Sequence, residues 1–370
     1  MRMAKLALCF LLLSAPPAAA MTWQEANKAS VAKMNEGNLK EAFDLAWTAA
    51  ELYEQSPTYK ATSHERLLLN AVDIFLQTER PRETPSMVRK SIAALGRHVS
   101  DDDATMVSLY TQLAAAFQRI GDFPAARDAR DRVIALNAKN YGEDSLGLVQ
   151  ALLDQARYLK QIQDIVVTRK YLNRASEIVA KLEPGNAVRL MVDYEQALLT
   201  LETERYGDAE PLFLSLAERA EPNRSVNAIG SILRPTYGML AFIAHKRGDQ
   251  VREDQMVEAT RGLPVEAGVA NPLFQELPRI PGGSELALAG YALIEYKVST
   301  ADGKVKEIRI LEKSGNPQYA SLASDAVREW RFQPSAPVGD EGELITHKQP
   351  FRYQYQNDKP ELGTRLKRSN

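Results

Sequence analysis

The sequence predicts a mainly α protein: a helical-repeat solenoid over residues 21–262, followed by a small α+β domain of order ββαβ over 285–357. Three observations carry this reading. A turn built on Gly followed by Asp or Asn recurs between helical stretches, at Gly37-Asn38, Gly121-Asp122 and Gly248-Asp249. At 263–284 the helical periodicity stops in a run containing Pro264, Pro272, Pro278, Pro281 and Gly282-Gly283, which reads as a semi-extended linker. Beyond it the apolar period becomes two, with Ala292, Ile294, Tyr296 and Val298 on one face of "GYALIEYKVS".

The first twenty residues read as an export signal. Arg2 and Lys5 precede an apolar run from Leu6 to Leu13, and Ala18-Ala19-Ala20 offers a small-residue cleavage site before Met21. The run is too short to span a bilayer, which takes about 20 apolar residues. The single cysteine, Cys9, follows Leu8 rather than a small residue, so a lipid anchor is not expected, and cleavage after Ala20 leaves a chain without thiols or disulfides. Loss of Arg2 and Lys5 moves the formal charge from −2 to −4. Basic and acidic residues nearly cancel, which argues against a nucleic-acid partner.

Within 21–262 the segments "NEGNLKEAFDLAWTAAELYE" (35–54), "RIGDFPAARDARDRVIAL" (119–136), "TERYGDAEPLFLSLAERA" (203–220) and "KRGDQVREDQMVEATRGL" (246–263) share one plan. A helix ends, the chain turns, and a second helix begins, with Ala42, Ala126 and Ala209 near its start in the first three. Small residues there let antiparallel helices approach closely; large ones such as Tyr110, Leu113 and Phe117 fill the seam. Two further pairs, near 60–98 and 148–182, fit by length and lack the signature, with Gln163 where a turn glycine is expected. Six stacked pairs are predicted. The pattern resembles the tetratricopeptide repeat family at 110–136, 26–54 and 237–260, and less closely at 193–219, where Glu204 replaces the turn glycine. That resemblance implies a groove lined by the first helix of each pair, which takes a peptide or protein. Counting from the turns puts Asn27, Gln118, Arg119, Arg157, Lys160, Tyr194, His245 and Lys246 on that face.

In the second domain, Asp302-Gly303 predicts a hairpin turn and "KVKEIRILEK" (304–313) the return strand. The change of phase between Val305 and Ile308/Ile310 predicts a bulge near Lys306. Asn316-Pro317 reads as N-cap and first helical residue. In "LASDAVREWRFQPS" (322–335), Leu322, Ala323, Ala326, Val327 and Trp330 keep one helical face; the period then drops to two and Pro334 forbids helix. Trp330 and Phe332 are expected in the core and Arg331 outside it. The final strand, 344–356, puts Phe351, Tyr353 and Tyr355 on one face and Arg352, Gln354 and Gln356 on the other, with Pro350 requiring an edge or a bulge. The polar tail after Asn357 is expected to fray.

With Trp330-Arg331-Phe332-Gln333-Pro334 after the aspartate-glycine hairpin, this domain resembles the TonB C-terminal family. The resemblance implies residence in a Gram-negative periplasm and docking of envelope partners, outer-membrane receptors among them, by strand addition at a sheet edge. Arg352, Gln354 and Gln356 would flank the incoming strand. Family transducers keep an N-terminal membrane helix and a long proline-rich spacer; here a short signal and a helical repeat occupy those places. Two functions follow: an interaction adaptor binding one partner in the groove and another at the module, or an accessory component of TonB-dependent energy transduction and transport across the outer membrane.

No enzyme, cofactor or metal is expected. His64, His98, His245 and His347 are scattered, and no phosphate-binding loop, dinucleotide fingerprint or nucleophile elbow occurs. Asp101-Asp102-Asp103 reads as carboxylates at the start of the helix beginning near Ala104. Asn223-Arg224-Ser225 matches a glycosylation acceptor only in form.

Overall fold

The computed structural model describes residues 21–78, 80–203, 205–264, 271–279, 290–337 and 339–353. The export segment, Glu204, Tyr355, Gln354, Gln356 and the tail lie outside them. The chain divides into two compact units, Met1–Gln155 and Ala156–Asn370.

In the first unit the helices are α1 (Trp23–Asn35), α2 (Leu39–Glu54), α3 (Ala61–Leu76), α4 (Thr84–Leu95), α5 (Met106–Arg119), α6 (Phe123–Tyr141) and the start of α7 (Leu146–Gln161). Each Gly-Asx turn works in two parts. Gly37 and Gly121 take the left-handed conformation, φ 77° and 78°, that ends a helix without a Cβ clash. Asn38 and Asp122 then accept a hydrogen bond from the backbone N–H of Glu41 and Ala125, at 3.3 and 3.2 Å, capping the next helix. Ala42 and Ala126 are fully buried, as close helix approach demands. Ala26, Ala49, Leu68, Leu95, Leu109 and Leu136 form one continuous core through these pairs. The helix expected near Ala104 starts at Met106. Asp103 accepts from the N–H and hydroxyl of Thr105, while Asp101 and Asp102 pair with Arg132.

The second unit continues α7 and adds α8 (Ile165–Val179), α9 (Ala187–Glu202), α10 (Tyr206–Ala220), α11 (Asn227–Lys246) and α12 (Gln250–Ala259). Among the described residues these complete six helix pairs. Of the degenerate pairs, the one near 148–182 keeps the turn geometry: Gln163 sits at φ 61°, as Gly37, Gly121 and Gly248 do at theirs, and Asp164 caps α8 through the N–H of Val167 at 3.3 Å. The pair near 60–98 does not, since α4 follows a 3-10 turn at Pro81–Glu83 and has no side-chain cap.

The remainder of this unit is β1 (Pro272–Phe274), β2 (Gly290–Ser299), β3 (Val305–Gly315), α13 (Pro317–Arg328), β4 (Arg331–Phe332) and β5 (Leu344–Tyr353). The main sheet is antiparallel in the order β3-β2-β5. Register slips between Lys297↔Glu307 and Val298↔Val305, which is the bulge at Lys306; a second bulge at Leu311 was not foreseen. α13 covers one face of the sheet, burying Ala320, Ala323 and Val327 against Ala292, Ile294 and Tyr296, with Trp330, Phe332 and Phe351 closing the layer. Gly303 is doubly required. Its φ is +68°, and a Cβ there would lie 1.9 Å from the carbonyl oxygen of Phe332.

Two expectations need correction. The stretch read as a linker contains β1, which pairs antiparallel with β4, so part of it is built into the fold. Arg331 does not point outward: it is 7% exposed and its Nε lies 2.5 Å from the carboxylate of Glu253, itself 1% exposed, on α12. The apolar period identified β4 correctly but could not show that a second domain lay on the far side of it.

Candidate functional site

Two surfaces have the geometry for recognition: the polar face of the first helices, and the outer edge of β5.

In the first unit neighbouring first helices are tied by side-chain amides. Asn70 of α3 donates to the side chain of Asn27 of α1 at 3.5 Å, and Gln112 of α5 donates to Asp73 of α3 at 3.3 Å. Arg119 reaches the carbonyl of Leu76 at 3.4 Å, and Gln118 accepts from Arg130 within its own pair. Partial burial pushes the carboxyls of Asp73 and Glu65 above their usual range. This face therefore offers amide donors and acceptors rather than a block of one charge, the chemistry that matches a peptide backbone.

In the second unit, Arg157 and Lys160 of α7 converge on Glu195 of α9 at 2.7 and 3.3 Å, and Lys160 also lies 3.3 Å from Glu202. Burial pushes Glu202 up and pushes the phenol of Tyr194 up further, where it packs edge-on to Phe213 at 5.8 Å. The structure brings Arg157 and Lys160 together on the carboxylate of Glu195, whereas Tyr194, the preceding residue of α9, packs into the apolar clusters beside Phe213. Glu195 was missed because an acidic residue on a helical face reads as a solvated one.

His245 and Lys246 have a different occupation. His245 Nδ1 lies 3.1 Å from Glu253, its ring packs 5.3 Å from Phe274, and Lys246 pairs with Glu276 while lying 5.1 Å over the ring of Phe242. Burial alone would raise the Glu276 carboxyl, but the Lys246 ammonium and the Arg279 guanidinium together hold the group below its usual range. Both residues face the chain's own 271–279 segment.

β5 pairs only with β2, from Ser299↔Leu344 to Gly290↔Tyr353, so its other side carries backbone groups without a strand partner among the described residues. Pro350 sits within it, which an edge position permits. Phe351 is buried and Arg352 exposed, with its guanidinium 5.8 Å from the ring centroid of Tyr291. Gln354 and Gln356 fall outside the described residues. Among those residues no group of three or more His, Cys, Asp or Glu is arranged to hold a metal, and no helix is long and apolar enough to cross a membrane.

Comparison with known proteins gave one family match and several similar structures. Residues 284–355 match the family model described as the Gram-negative bacterial TonB protein C-terminal. No curated protein sequence matches the chain. Similar solved structures include BtubC (BKLC) from P. vanneervenii, at 15% identity and TM-score 0.48, covering 65% of this chain and 90% of that one. The TPR-like repeats of a putative kinesin light chain from Podosopora anserina follow at 16% and 0.44, covering 55% and 97%. A tetratricopeptide repeat protein from Parabacteroides merdae is similar at 14% and 0.38, covering 64% and 91%. Residues 284–355 are thus similar to the TonB C-terminal family, and the helix pairs that precede them form a helical repeat.

Proposed function

We propose that this is a non-enzymatic interaction adaptor of the Gram-negative periplasm. Its helical repeat holds a peptide or protein along the first-helix face, and its C-terminal module docks a second envelope partner by strand addition. The observation that carries the reading is the sheet order β3-β2-β5, which leaves the last strand of a TonB-like module with one side that no strand among the described residues covers. Added backbone hydrogen bonds supply affinity there, and side-chain pockets supply selectivity. The amide-rich face of α1, α3 and α5 supports a separate site for an extended chain.

The test uses a photo-crosslinking residue at Asp73 in one variant and at Thr346 of β5 in another, each in the full chain in cells. The two-site reading expects both positions to capture protein, with different adducts. Identical adducts at both positions, or none at either, would contradict it.

A further inference from the structure

We propose that the C-terminal module is the end cap of the helical repeat, so that α11, α12, the 271–279 strap and the module unfold as one cooperative unit. A helical array ends on a pair whose outer face would otherwise be covered by the next repeat, and that face must be closed by something. Here it is closed by the chain's own residues from Asn271 onward.

The strap supplies the apolar part. Leu273 and Phe274 are buried against Ala241 and Val257, with Phe242 and Met256 alongside and the rings of Phe242 and Phe274 5.8 Å apart. The approach is close enough to require glycine on α11, since a Cβ on Gly238 would lie 2.9 Å from the carbonyl oxygen of Leu273. Arg234 of α11 donates to the side chain of Asn271 at 2.9 Å.

The residues after α13 supply the polar part, and they alternate in direction as a strand must. Trp330 and Phe332 enter the module's core, while Arg331 and Gln333 reach the repeat. Gln333 is 4% exposed. Its side-chain amide donates to the carbonyls of Thr260 and Leu263, which bracket the turn after α12, at 2.7 and 3.0 Å, and its backbone N–H donates to the carbonyl of Asn271. Arg331 pairs with Glu253, which also meets His245. Lys304 and Asp254 add a pair at 2.9 Å, and Arg261 donates to the carbonyls of Ala301 and Ala336. Even Trp330 reaches across, its indole N–H donating to the carbonyl of Glu276 at 2.8 Å. A flexible tether would need none of these pairs, and those made by the buried Arg331, Glu253 and Gln333 are costly if left half-made. The inference holds whether or not β5 binds a partner.

The experiment is amide hydrogen exchange on the full chain without its first twenty residues, comparing wild type with Gln333→Leu, Arg331→Met and the double variant Glu253→Leu/Arg331→Met. The cap predicts at least tenfold faster exchange in the last turn of α12 for Gln333→Leu. It predicts faster exchange through α11 and α12 for Arg331→Met, and substantial recovery in the double variant, where no buried charge is left alone. Thermal unfolding of the second unit should stay a single transition. Gln333→Leu removes no charge, so it decides the matter alone if Arg331→Met fails to accumulate. Exchange in α12 within twofold of wild type in the single variants, while β2 and α13 loosen, would overturn the proposal.

Discussion

Gln163 holds a left-handed backbone conformation that Gly37, Gly121 and Gly248 hold at the corresponding turns. A side chain there meets its own carbonyl and costs about 1–2 kcal/mol. Gln163→Gly should therefore stabilise the chain by about 0.5–1 kcal/mol, after its gain in unfolded-state entropy is set against the relief. The reverse change, Gly121→Ala, should destabilise by a similar amount. Denaturant midpoints at constant slope measure both. His64 gives a second prediction at this scale. It is 1% exposed, its Nδ1 lies 3.2 Å from the hydroxyl of Tyr59, and burial depresses its pKa to about 4. Below pH 6.5 the unfolded chain takes up a proton that the folded chain refuses, so stability falls as the pH drops from 6.5 to 4, by up to about 3 kcal/mol. Glu54 acts in a lower window. Arg97 and His98 hold its pKa at about 2, so its contribution is lost as the pH falls from about 4.5 through 2. Tm measured at pH 7, 5.5 and 4.5 should fall less steeply for His64→Phe than for wild type; an equal slope would assign the loss elsewhere.

At the scale of elements, what the sequence made legible follows from how local each signal is. The Gly-Asx turns, the bulge at Lys306, the Asn316 cap and the order ββαβ are written in residues a few positions apart, and each could be read directly. β1 could not. Pro272-Leu273-Phe274 is too short to show a period, and its partner β4 lies far along the chain. Arg331 failed for the same reason: a charged residue between two core aromatics reads as solvent-facing unless the buried carboxylate of Glu253 is known to wait opposite it. The face residues were partly legible, because helical counting fixes which side of a helix a residue takes but not what covers that side. His245 and Lys246 show the difference. Trp330→Ala removes a core aromatic and the bond to Glu276, and truncation of this kind costs about 3–5 kcal/mol. The loss should appear as faster amide exchange in β2, α13 and β1 together. Exchange confined to α13 would show that the strap is held by other contacts.

For the whole molecule, a polar helical face suited to an extended chain is joined to a sheet whose last strand has no strand partner on one side among the described residues. Arg352 is two residues beyond Pro350, so a proline at 352 would place its ring nitrogen on the same side of β5 as the proline already there. The most direct measurement is partner capture from envelope extract by the full chain carrying Arg352→Pro, set beside Arg352→Ala as the control for the lost side chain. Both variants should keep the wild-type near-ultraviolet signature of the aromatic core around Tyr296 and Trp330, whose rings lie 5.6 Å apart. Strand addition at β5 predicts that the alanine variant still captures the partner and the proline variant does not. Equal capture by the two folded variants would contradict it.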